Sequence, residues 1–329
     1  MAGGEAGAVT VGRIPAPWSL FGFSRTEAIG FAVLLAAIIV APGVIYPIFV
    51  MKVLCFALFA CAFNLLVGYA GLLSFGHAAY FGIGSYVAAW LVRYAGFDSG
   101  VAILIGGLAG GLLGLAFGTI SIRRSGLQFA MITLALGQLV YFFCVEAPFT
   151  HGENGIQQVP RGRLFGLVDL HTDMAMYWVT AGIFLIFFLV VHRAIHSPFG
   201  QVLKAIRESE PRATSLGYST DRYKLLAFVL SCAISGIAGA TMAIVFGIAT
   251  LTDVHFSMSG EVVLMTLVGG MGTIFGPIIG ALVIVGIETY LAQFGDWVMI
   301  SQGIVFVICV LVFRRGIVGE IAGRLRLAL

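Results

Sequence analysis

Long apolar runs without a charged residue alternate with short polar segments along this chain. Eight such runs occupy residues 28–51, 53–92, 99–122, 125–145, 174–191, 225–252, 262–287 and 297–313. About 20 helical residues cross a hydrocarbon core, and backbone polar groups in lipid must hydrogen bond within their own segment. Each run is therefore predicted to be helical and membrane-embedded, and the 40-residue run 53–92 must turn once, near residues 68–71.

Composition excludes a soluble domain. Hydrophobic residues make up 60% of the chain and charged residues 10%, and the mean hydropathy is +1.05, whereas soluble domains carry about 25% charged residues. The first run is too long for a signal-peptide core and has no small-residue cleavage site after it, so we expect it to remain a span. The net charge of +3 reflects basic loops rather than affinity for nucleic acid.

Basic residues near the ends of spans predict the orientation, because they concentrate on the cytoplasmic side. Three basic clusters are found, at Arg123 and Arg124, at residues 193–224 and at residues 314–326. All three are predicted to be cytoplasmic. The segment 146–173 carries four acids against two arginines and is predicted to be an outer loop.

These signals predict an all-α, polytopic bundle of about eight to ten spans with both termini in the cytoplasm. Ten helices is one arrangement of the spans, and eight plus a re-entrant element between residues 260 and 313 is the other. The predicted organisation is an N-terminal tail (1–26), a membrane domain (27–315) with a cytoplasmic loop at 194–223, and a C-terminal tail (316–329).

The cytoplasmic segment 192–224 is the longest charged, amphipathic stretch between apolar runs. Residues 197–200 are typical of a turn, and residues 201–207 have helical spacing. Ser209 is a candidate N-cap for a second short helix that ends at Gly217. The apolar contacts expected of the two helices are Val202, Leu203, Ile206, Ala213 and Leu216. The segment is interpreted either as a compact knob for a protein groove or as an interfacial helix on lipid headgroups.

Two groups of glycines indicate close approach of helices. Gly106, Gly110, Gly114 and Gly118 share one helix face, which favours packing either within the chain or against a partner subunit. The cluster at residues 269–280 contains a Gly-Pro pair that an ideal helix does not accommodate. It predicts either a packing kink or a helix break beside a translocation path.

The chain has no sequence motif for binding and hydrolysing ATP. A P-loop requires a Gly-Lys pair, but the three lysines, Lys52, Lys204 and Lys224, follow Met, Leu and Tyr. If ATP drives this protein, a separate subunit must bind it. Acids in or near the apolar runs are few and are interpreted as interfacial residues, which argues against an ion relay. They are Glu261, Glu288 and Asp296.

Enzyme and metal chemistry also find no support in the sequence. His77 is interpreted either as a packing or capping residue or as part of a pathway. The other histidines are interpreted as uncoordinated surface residues, and they are His151, His171, His192, His196 and His255. The five cysteines lie in apolar runs without CxxC spacing and are expected to pack rather than to ligate metal. They are Cys55, Cys61, Cys144, Cys232 and Cys309.

Five ordered motifs between residues 64 and 315 resemble the inner-membrane permeases of bacterial branched-chain amino acid ABC transporters, with the LivM type most similar. The longest charged motif lies at residues 200–217 (GQVLKAIRESEPRATSLG) and is followed by KLLAF at 224–228 and SGIAGA at 235–240. The others are 66–86 (LVGYAGLLSFGHAAYFGIGSY), 129–135 (FAMITLA), 152–155 (GENG) and 269–277 (GGMGTIFGP).

The resemblance implies a transport subunit of the bacterial inner membrane rather than an enzyme. It implies a heterodimer with a LivH-like permease in lipid, two cytoplasmic ATP-binding subunits of LivG and LivF type, and a periplasmic substrate-binding protein. ATP and magnesium would bind to the ATP-binding subunits, and this chain would hold no cofactor or metal. The segment 146–173 would then be periplasmic.

The resemblance also implies two sets of functional residues. The residues implied to couple to the ATPase are Gln201, Lys204, Ala205, Arg207, Glu208, Glu210, Ala213, Leu216 and Gly217. The residues implied to line the translocation path are Ser74, His77, Tyr80, Gln128, Thr133, Gly272, Gly276 and Pro277.

Two departures from the family pattern stand out. Residues 211–214 replace paired alanines that are frequent after the loop glutamate, and Gln128 replaces a frequent aromatic residue. The first bears on docking contacts and the second on substrate range. A permease for urea, short amides or other amino acids is an alternative function, and a stand-alone ion-coupled carrier is another.

Overall fold

The computed structural model describes residues 25–166, 168–291 and 316–325, and also residues 300, 303, 304, 307 and 311. Its elements with described bounds are twelve α-helices, one π-helix, three 3-10 helices of three residues each and a short β-hairpin. The helices are α1 Arg25–Val44, α2 Pro47–Asn64, α3 His77–Arg93, α4 Ser99–Ser121, α5 Leu127–Glu146, α6 Asp173–His196, α7 Pro198–Glu208, α8 Glu210–Ser215, α9 Thr220–Phe246, α10 Phe256–Gly269, α11 Gly276–Leu291 and α12 Gly316–Leu325.

The described helices confirm a polytopic membrane bundle. Six of them are long and apolar enough to cross a membrane, namely α1, α2 with its π-helix, α4, α5, α6 and α9. The apolar helices α3, α10 and α11 are shorter, at 17, 14 and 16 residues. The choice between three spans and a re-entrant pair in residues 260–313 stays open, because most of 292–315 lies outside the described residues, as do Asp296 and Cys309.

The long apolar run 53–92 turns once, as predicted. Helix α2 continues into the π-helix Leu65–Ala70, which ends at Gly71 with a φ of +72° before α3 begins. A left-handed residue costs little strain when it is glycine. The turn therefore lies where the sequence indicated, but the π-helix before it was not predicted.

Helix α2 lies in the centre of the bundle and α1 at its edge. Phe56, Phe59 and Phe63 are at most 2% exposed, and 83% of the span of α2 and its π-helix is buried, against 11% for α1. An apolar helix that is buried all round must be enclosed by other helices. Helices α6, α9 and α11 make most of this enclosure.

The glycines of α4 form a packing ridge against α9. A Cβ atom at Gly110 would lie 2.8 Å from the carbonyl oxygen of Cys232. A Cβ atom at Gly114 would lie 2.5 Å from the Cβ atom of Cys232. Gly84 of α3 approaches the carbonyl oxygen of Gly236 in the same way. The close contact lies within this chain, so the prediction of internal packing is confirmed and that of a partner subunit on this ridge is wrong.

The loop between α5 and α6 adds a small β element to the helical fold. Strands β1 Arg163–Leu164 and β2 Val168–Asp169 pair antiparallel, and Ile156 forms a β-bridge with Ala249 after α9. Arg161 donates to Asp173 at 2.5 Å and to the carbonyl oxygen of Val245 at 3.1 Å. These contacts attach the loop to the ends of α6 and α9.

The C-terminal segment contains a helix rather than only a tail. Helix α12 contacts α10 and α11, and a Cβ atom at Gly316 would lie 2.3 Å from the Cα atom of Gly270. Gly316 has a φ of +74°, which favours glycine at this close approach. The boundary placed at residue 316 thus marks the start of a packed helix.

Candidate functional site

The segment predicted to be cytoplasmic folds into the two helices α7 and α8. Ser197 is the N-cap of α7, with its Oγ accepting from the Gly200 N–H at 3.4 Å and donating to the Ala194 carbonyl at 2.7 Å. Pro198 is the first helical residue, where its missing N–H has no cost. The prediction of a turn at residues 197–200 was therefore wrong, because the cap and the proline begin the helix three residues earlier than expected.

Helix α7 is amphipathic, and its apolar face packs on the bundle. Leu203 and Ile206 are at most 3% exposed, and Leu203 lies in one cluster with Leu66, Ile122 and Phe228. Because Ile122 precedes Arg123 and Arg124, that basic turn lies at the same end of the bundle as α7, as the orientation predicted. The coupling candidates Gln201 and Ala205 are exposed on the opposite side.

Helix α8 has only six residues, and the chain leaves the helix before Gly217, as predicted. Ser209 occupies the N-cap position, Ala213 is 2% exposed, and Gly217 has a φ of +87° after the last helical residues. Leu216, expected to be an internal apolar contact, is instead 71% exposed. The expectation for Leu216 was wrong, because the helix ends at Ser215 and directs the next residue outward.

Glu210 is engaged inside the chain. Its carboxylate forms an ion pair with the ammonium group of Lys224 in the first turns of α9, and the Lys224 side chain is only 5% exposed. A buried charge requires a partner. Glu210 therefore fastens α8 to α9, in addition to any contact that it makes with another subunit.

Two basic residues of α7 contact the π-helix. The Lys204 ammonium lies 5.5 Å from the centroid of the Tyr69 ring, within the range of a cation–π interaction. The Arg207 guanidinium donates to the carbonyl oxygen of Gly68. Helices of π type are rare, but those that occur often lie at functional sites. The coupling segment is thus connected to the irregular end of the central span.

Asn64, directly before the π-helix, connects this end of α2 to the turn between α10 and α11. Its Oδ1 accepts from the Gly272 N–H at 2.9 Å, and its Nδ2 donates to the Thr273 carbonyl at 2.9 Å. Gly68 has no room for a side chain, since a Cβ atom there would lie 2.7 Å from the Gly272 nitrogen. Sequence reasoning missed Asn64, although it is the one amide in the apolar run 53–92.

The glycine cluster at residues 269–280 forms a turn between two helices. Gly276 and Pro277 are the first residues of α11, and Gly280 packs on the Met265 carbonyl, where a Cβ atom would lie 1.7 Å away. A proline at the start of a helix breaks no hydrogen bond. The predicted break therefore exists, as the reversal between α10 and α11 beside Asn64.

The candidates Ser74, His77, Tyr80 and Thr133 lie together around the start of α3. Ser74, His77, Tyr80 and Thr133 are at most 1% exposed. His77 Nε2 lies 2.9 Å from the hydroxyl of Ser231, and Thr133 Oγ1 accepts from the Phe75 N–H at 3.3 Å. The contacts of His77 support the packing alternative. A role of these residues in the path stays a prediction.

The path candidates therefore form separate groups. Gly272, Gly276 and Pro277 lie at the α10–α11 turn, and the other buried candidates lie around α3. Gln128 is exposed in the first turn of α5 and joins neither group.

A polar cavity of about 520 Å³ opens between α1, α6, α7 and the two irregular segments. Its lining combines carboxylates, basic groups and an aromatic ring, and includes Glu27, Tyr69, His196, Lys204, Arg207, Glu208 and Gly272. Three of the predicted coupling residues, Lys204, Arg207 and Glu208, therefore line this cavity. A coupling role would be in addition to that position.

The prediction that these histidines are uncoordinated surface residues was wrong for two of them, His192 and His196. His192, with a side chain 7% exposed, and His196 lie one turn apart at the end of α6, next to Glu27 of α1. The tertiary fold brings Glu27 there from 165 positions away in the sequence, so spacing alone did not reveal the cluster. Elsewhere, His151 contacts Tyr94 and His255 caps α10.

Three charged residues near helix ends, Lys52, Asp253 and Glu288, are paired or hydrogen bonded. Lys52 and Glu288 form an ion pair at 2.9 Å, which agrees with an interfacial position for Glu288. Asp253 lies between α9 and α10, where it accepts from Ser85 and from the Thr250 N–H, each at 3.1 Å. Burial raises the pKa of the Asp253 carboxyl above its ordinary value, and the hydrogen bonds oppose that rise.

Comparisons with known proteins agree with this architecture. The family model described as "Branched-chain amino acid transport system / permease component" matches residues 45–312. The LivM permease protein of Escherichia coli K12 is 31% identical over 73% of this chain, and this chain spans 62% of that relative's length.

More distant relatives are also permease proteins of such systems. The LivH protein of Escherichia coli K12 is 24% identical over 70% of this chain and 79% of its own length. The BraD protein of Pseudomonas aeruginosa is 23% identical over 80% of this chain and 92% of its own length. No solved structure matches the chain. The family match covers all the membrane helices from α2 to α11, so this multi-pass membrane protein belongs to the family of permease components of branched-chain amino acid transport systems.

Proposed function

We propose that this chain is the membrane-spanning permease subunit of an ABC importer for branched-chain amino acids. It forms half of a translocation pore in the bacterial inner membrane, and separate cytoplasmic subunits hydrolyse the ATP. Its partners are a second, LivH-like permease, two ATP-binding subunits and a periplasmic substrate-binding protein. The segment between α5 and α6 then faces the periplasm.

The observation that supports the proposal most strongly is the structure of α7 and α8. Both helices are anchored on one side by Leu203, Ile206 and Ala213, and present exposed residues on the other. An amphipathic element with an exposed leucine at its tip suits a groove on another protein, because burial of one leucine side chain contributes about 1.5–3 kcal/mol. Leu216 is that leucine.

The anchored side suggests how a push on α7 reaches the membrane. Lys204 and Arg207 contact the π-helix, and Asn64 links the preceding turn of α2 to the α10–α11 turn. A displacement of α7 therefore acts on the end of the central span and on a helix reversal together. We infer that ATP-driven movement of α7–α8 shifts these two segments and changes the opening of the pore.

The test places a charge at the proposed docking tip. In the complete transporter reconstituted in liposomes, Leu216→Asp is expected to lower ATP-dependent leucine uptake about tenfold or more, the effect of losing one buried interface contact. Val168→Asp is the matched control, because Val168 is an exposed apolar residue of the outer hairpin, 42% exposed. Uptake at the wild-type rate in Leu216→Asp would contradict docking through α8.

Two further variants alter the coupling segment itself. Deletion of residues 208–217 is expected to abolish uptake while the chain remains inserted. Glu210→Lys is expected to abolish uptake as well, although it also leaves the buried Lys224 without its partner. Uphill accumulation of leucine by the purified chain without ATP-binding subunits would refute the proposed function.

A further inference from the structure

The end of α6 and the start of α1 bring together three side chains that can ligate a metal. His192 and His196 are four residues apart in α6, so their rings stand one above the other, with centroids 4.3 Å apart. The Glu27 carboxylate reaches both rings, with Oε1 at 3.0 Å from His196 Nε2 and Oε2 at 3.9 Å from His192 Nε2. One ligand atom from each residue lies within 4.8 Å of the other two.

This spacing suits a tetrahedral transition-metal ion. Zinc–nitrogen and zinc–oxygen bonds are about 2.0–2.2 Å long, which places neighbouring ligand atoms roughly 3.3 Å apart. The two nitrogen–oxygen distances of 3.0 and 3.9 Å lie on either side of that value. Two imidazoles and one carboxylate are also a ligand set that binds zinc in other proteins.

The orientation of the His196 ring also favours binding of a metal ion. Its Nδ1 lies 2.9 Å from the carbonyl oxygen of His192. A carbonyl can only accept, so Nδ1 donates this hydrogen bond, and Nε2, which faces Glu27, is the ring nitrogen that would bind a metal. Metal-binding histidines generally donate their second nitrogen to a carbonyl or carboxylate in this way.

The three side chains are buried enough to hold a metal ion, and the site can still be reached from the cavity. The side chains of His192 and Glu27 are 7% and 8% exposed, whereas that of His196 is 30% exposed. His196 and Glu27 also line the polar cavity at the cytoplasmic end of the bundle. A metal ion could therefore enter from the cavity and keep one coordination position for water. Lys204 and Arg207 line the same cavity, and their positive charge is opposed there by Glu208.

We propose that Glu27, His192 and His196 form a binding site for a divalent transition metal of the zinc class. The bound ion joins the weakly buried helix α1 to the end of α6, at the residue that precedes the N-cap of α7. The site thus braces the junction from which the cytoplasmic segment α7–α8 departs.

Cobalt binding to the purified chain, free of any polyhistidine tag, tests the site directly. We expect one Co²⁺ per chain with the visible absorption of a tetrahedral ion, and its displacement by Zn²⁺. His196→Ala and Glu27→Gln are expected to weaken binding about tenfold or more. His171→Ala is the control, because His171 is exposed in the outer loop, with a side chain 73% exposed.

A second variant keeps the test independent of folding. His196→Cys supplies a thiolate at the same position and is expected to retain the ion with a new sulfur-to-cobalt charge-transfer band. Absence of stoichiometric Co²⁺ or Zn²⁺ in the wild-type chain would show that the cluster is only a hydrogen-bonded ion pair and would overturn the proposal. Binding of equal strength in wild-type and Glu27→Gln/His196→Ala chains would overturn it as well.

Discussion

A single buried amide holds two irregular segments of this protein together. The Asn64 side chain is 3% exposed and uses both its oxygen and its nitrogen on the backbone of the α10–α11 turn. Backbone groups of a turn buried in a membrane protein have no water to bond, so a side chain must satisfy them. Asn64 thus determines where the turn sits relative to the π-helix.

Replacement of this amide by a leucine of similar volume is expected to destabilise the protein. Asn64→Leu leaves the Gly272 N–H and the Thr273 carbonyl without their partner, at a cost of about 1–3 kcal/mol for each buried group. The measurement is the thermal unfolding midpoint in detergent. Gln128→Leu is the control, since that amide is exposed, and an equal loss in both variants would contradict the role of Asn64.

Asp253 provides a pH-dependent contribution to stability. Burial raises the pKa of its carboxyl above the ordinary 3.8 in the folded state, so the folded protein holds more protons than the unfolded chain between the two values. The free energy of unfolding therefore falls as the pH rises from about 4 through the folded pKa. Asp253→Asn can still accept from Ser85 and Thr250 but cannot ionise.

The expected result is a pH-dependent difference between the two proteins. Relative to Asp253→Asn, the wild-type chain should lose stability as the pH rises through this window, and the difference should level off above it. Unfolding midpoints measured from pH 4 upward provide the test. A constant difference between the variants across that range would show that Asp253 does not titrate as its burial indicates.

At the scale of elements, the contact between α4 and α9 depends on the absence of side chains. Gly110→Leu would place a Cβ atom 2.8 Å from the Cys232 carbonyl and 3.1 Å from the Gly236 Cα atom. Because backbone cannot move aside as a side chain can, overpacking here should cost about 1–3 kcal/mol or more. We expect a lower yield of monodisperse protein by size-exclusion chromatography.

Gly182→Leu is the matched control for this helix contact. Gly182 lies in α6 with no atom within 4 Å of a built Cβ atom, so a leucine there should be tolerated. If Gly110→Leu were recovered with the same yield as Gly182→Leu, the α4–α9 ridge would not be the tight contact that the structure shows.

Elements with a local signal were predictable from the sequence, and tertiary contacts were not. The apolar runs predicted the spans, and Ser209 with Gly217 predicted the limits of α8, because capping and hydrophobicity act over a few residues. The π-helix and the Glu27–His192–His196 cluster depend on partners far away in the chain. Leu216 was misjudged for the same reason, because its exposure is decided by the direction in which α8 leaves the bundle.

At the scale of the whole molecule, helices α7 and α8 and the membrane helices form one connected path. Helix α7 contacts the π-helix, the π-helix is an extension of the central span α2, and Asn64 ties α2 to the α10–α11 turn. Helix α12 also contacts that turn through Gly316. A transport machine requires movement to travel from its motor to its pore, and packed elements with direct contacts provide such a route.

Arg207 is the residue at which this route can be interrupted without disturbing the docking tip. Its guanidinium contacts the Gly68 carbonyl on the membrane side, whereas Leu216 lies exposed on α8. In the reconstituted transporter, Arg207→Met should keep the apolar part of the side chain but lose the hydrogen bond. We expect leucine uptake to fall about tenfold or more, the effect of one charge-assisted hydrogen bond of about 1.5–3 kcal/mol, while ATP hydrolysis continues.

The comparison with Leu216→Asp makes this outcome specific. A variant that no longer docks should lose uptake together with the substrate-dependent part of ATP hydrolysis, whereas an uncoupled variant should lose uptake alone. Uptake and ATP hydrolysis are therefore measured in the same liposomes for both variants. Parallel loss of both activities in Arg207→Met would place Arg207 in the docking surface, and unchanged uptake would mean that movement reaches the membrane helices by contacts other than the one with Gly68.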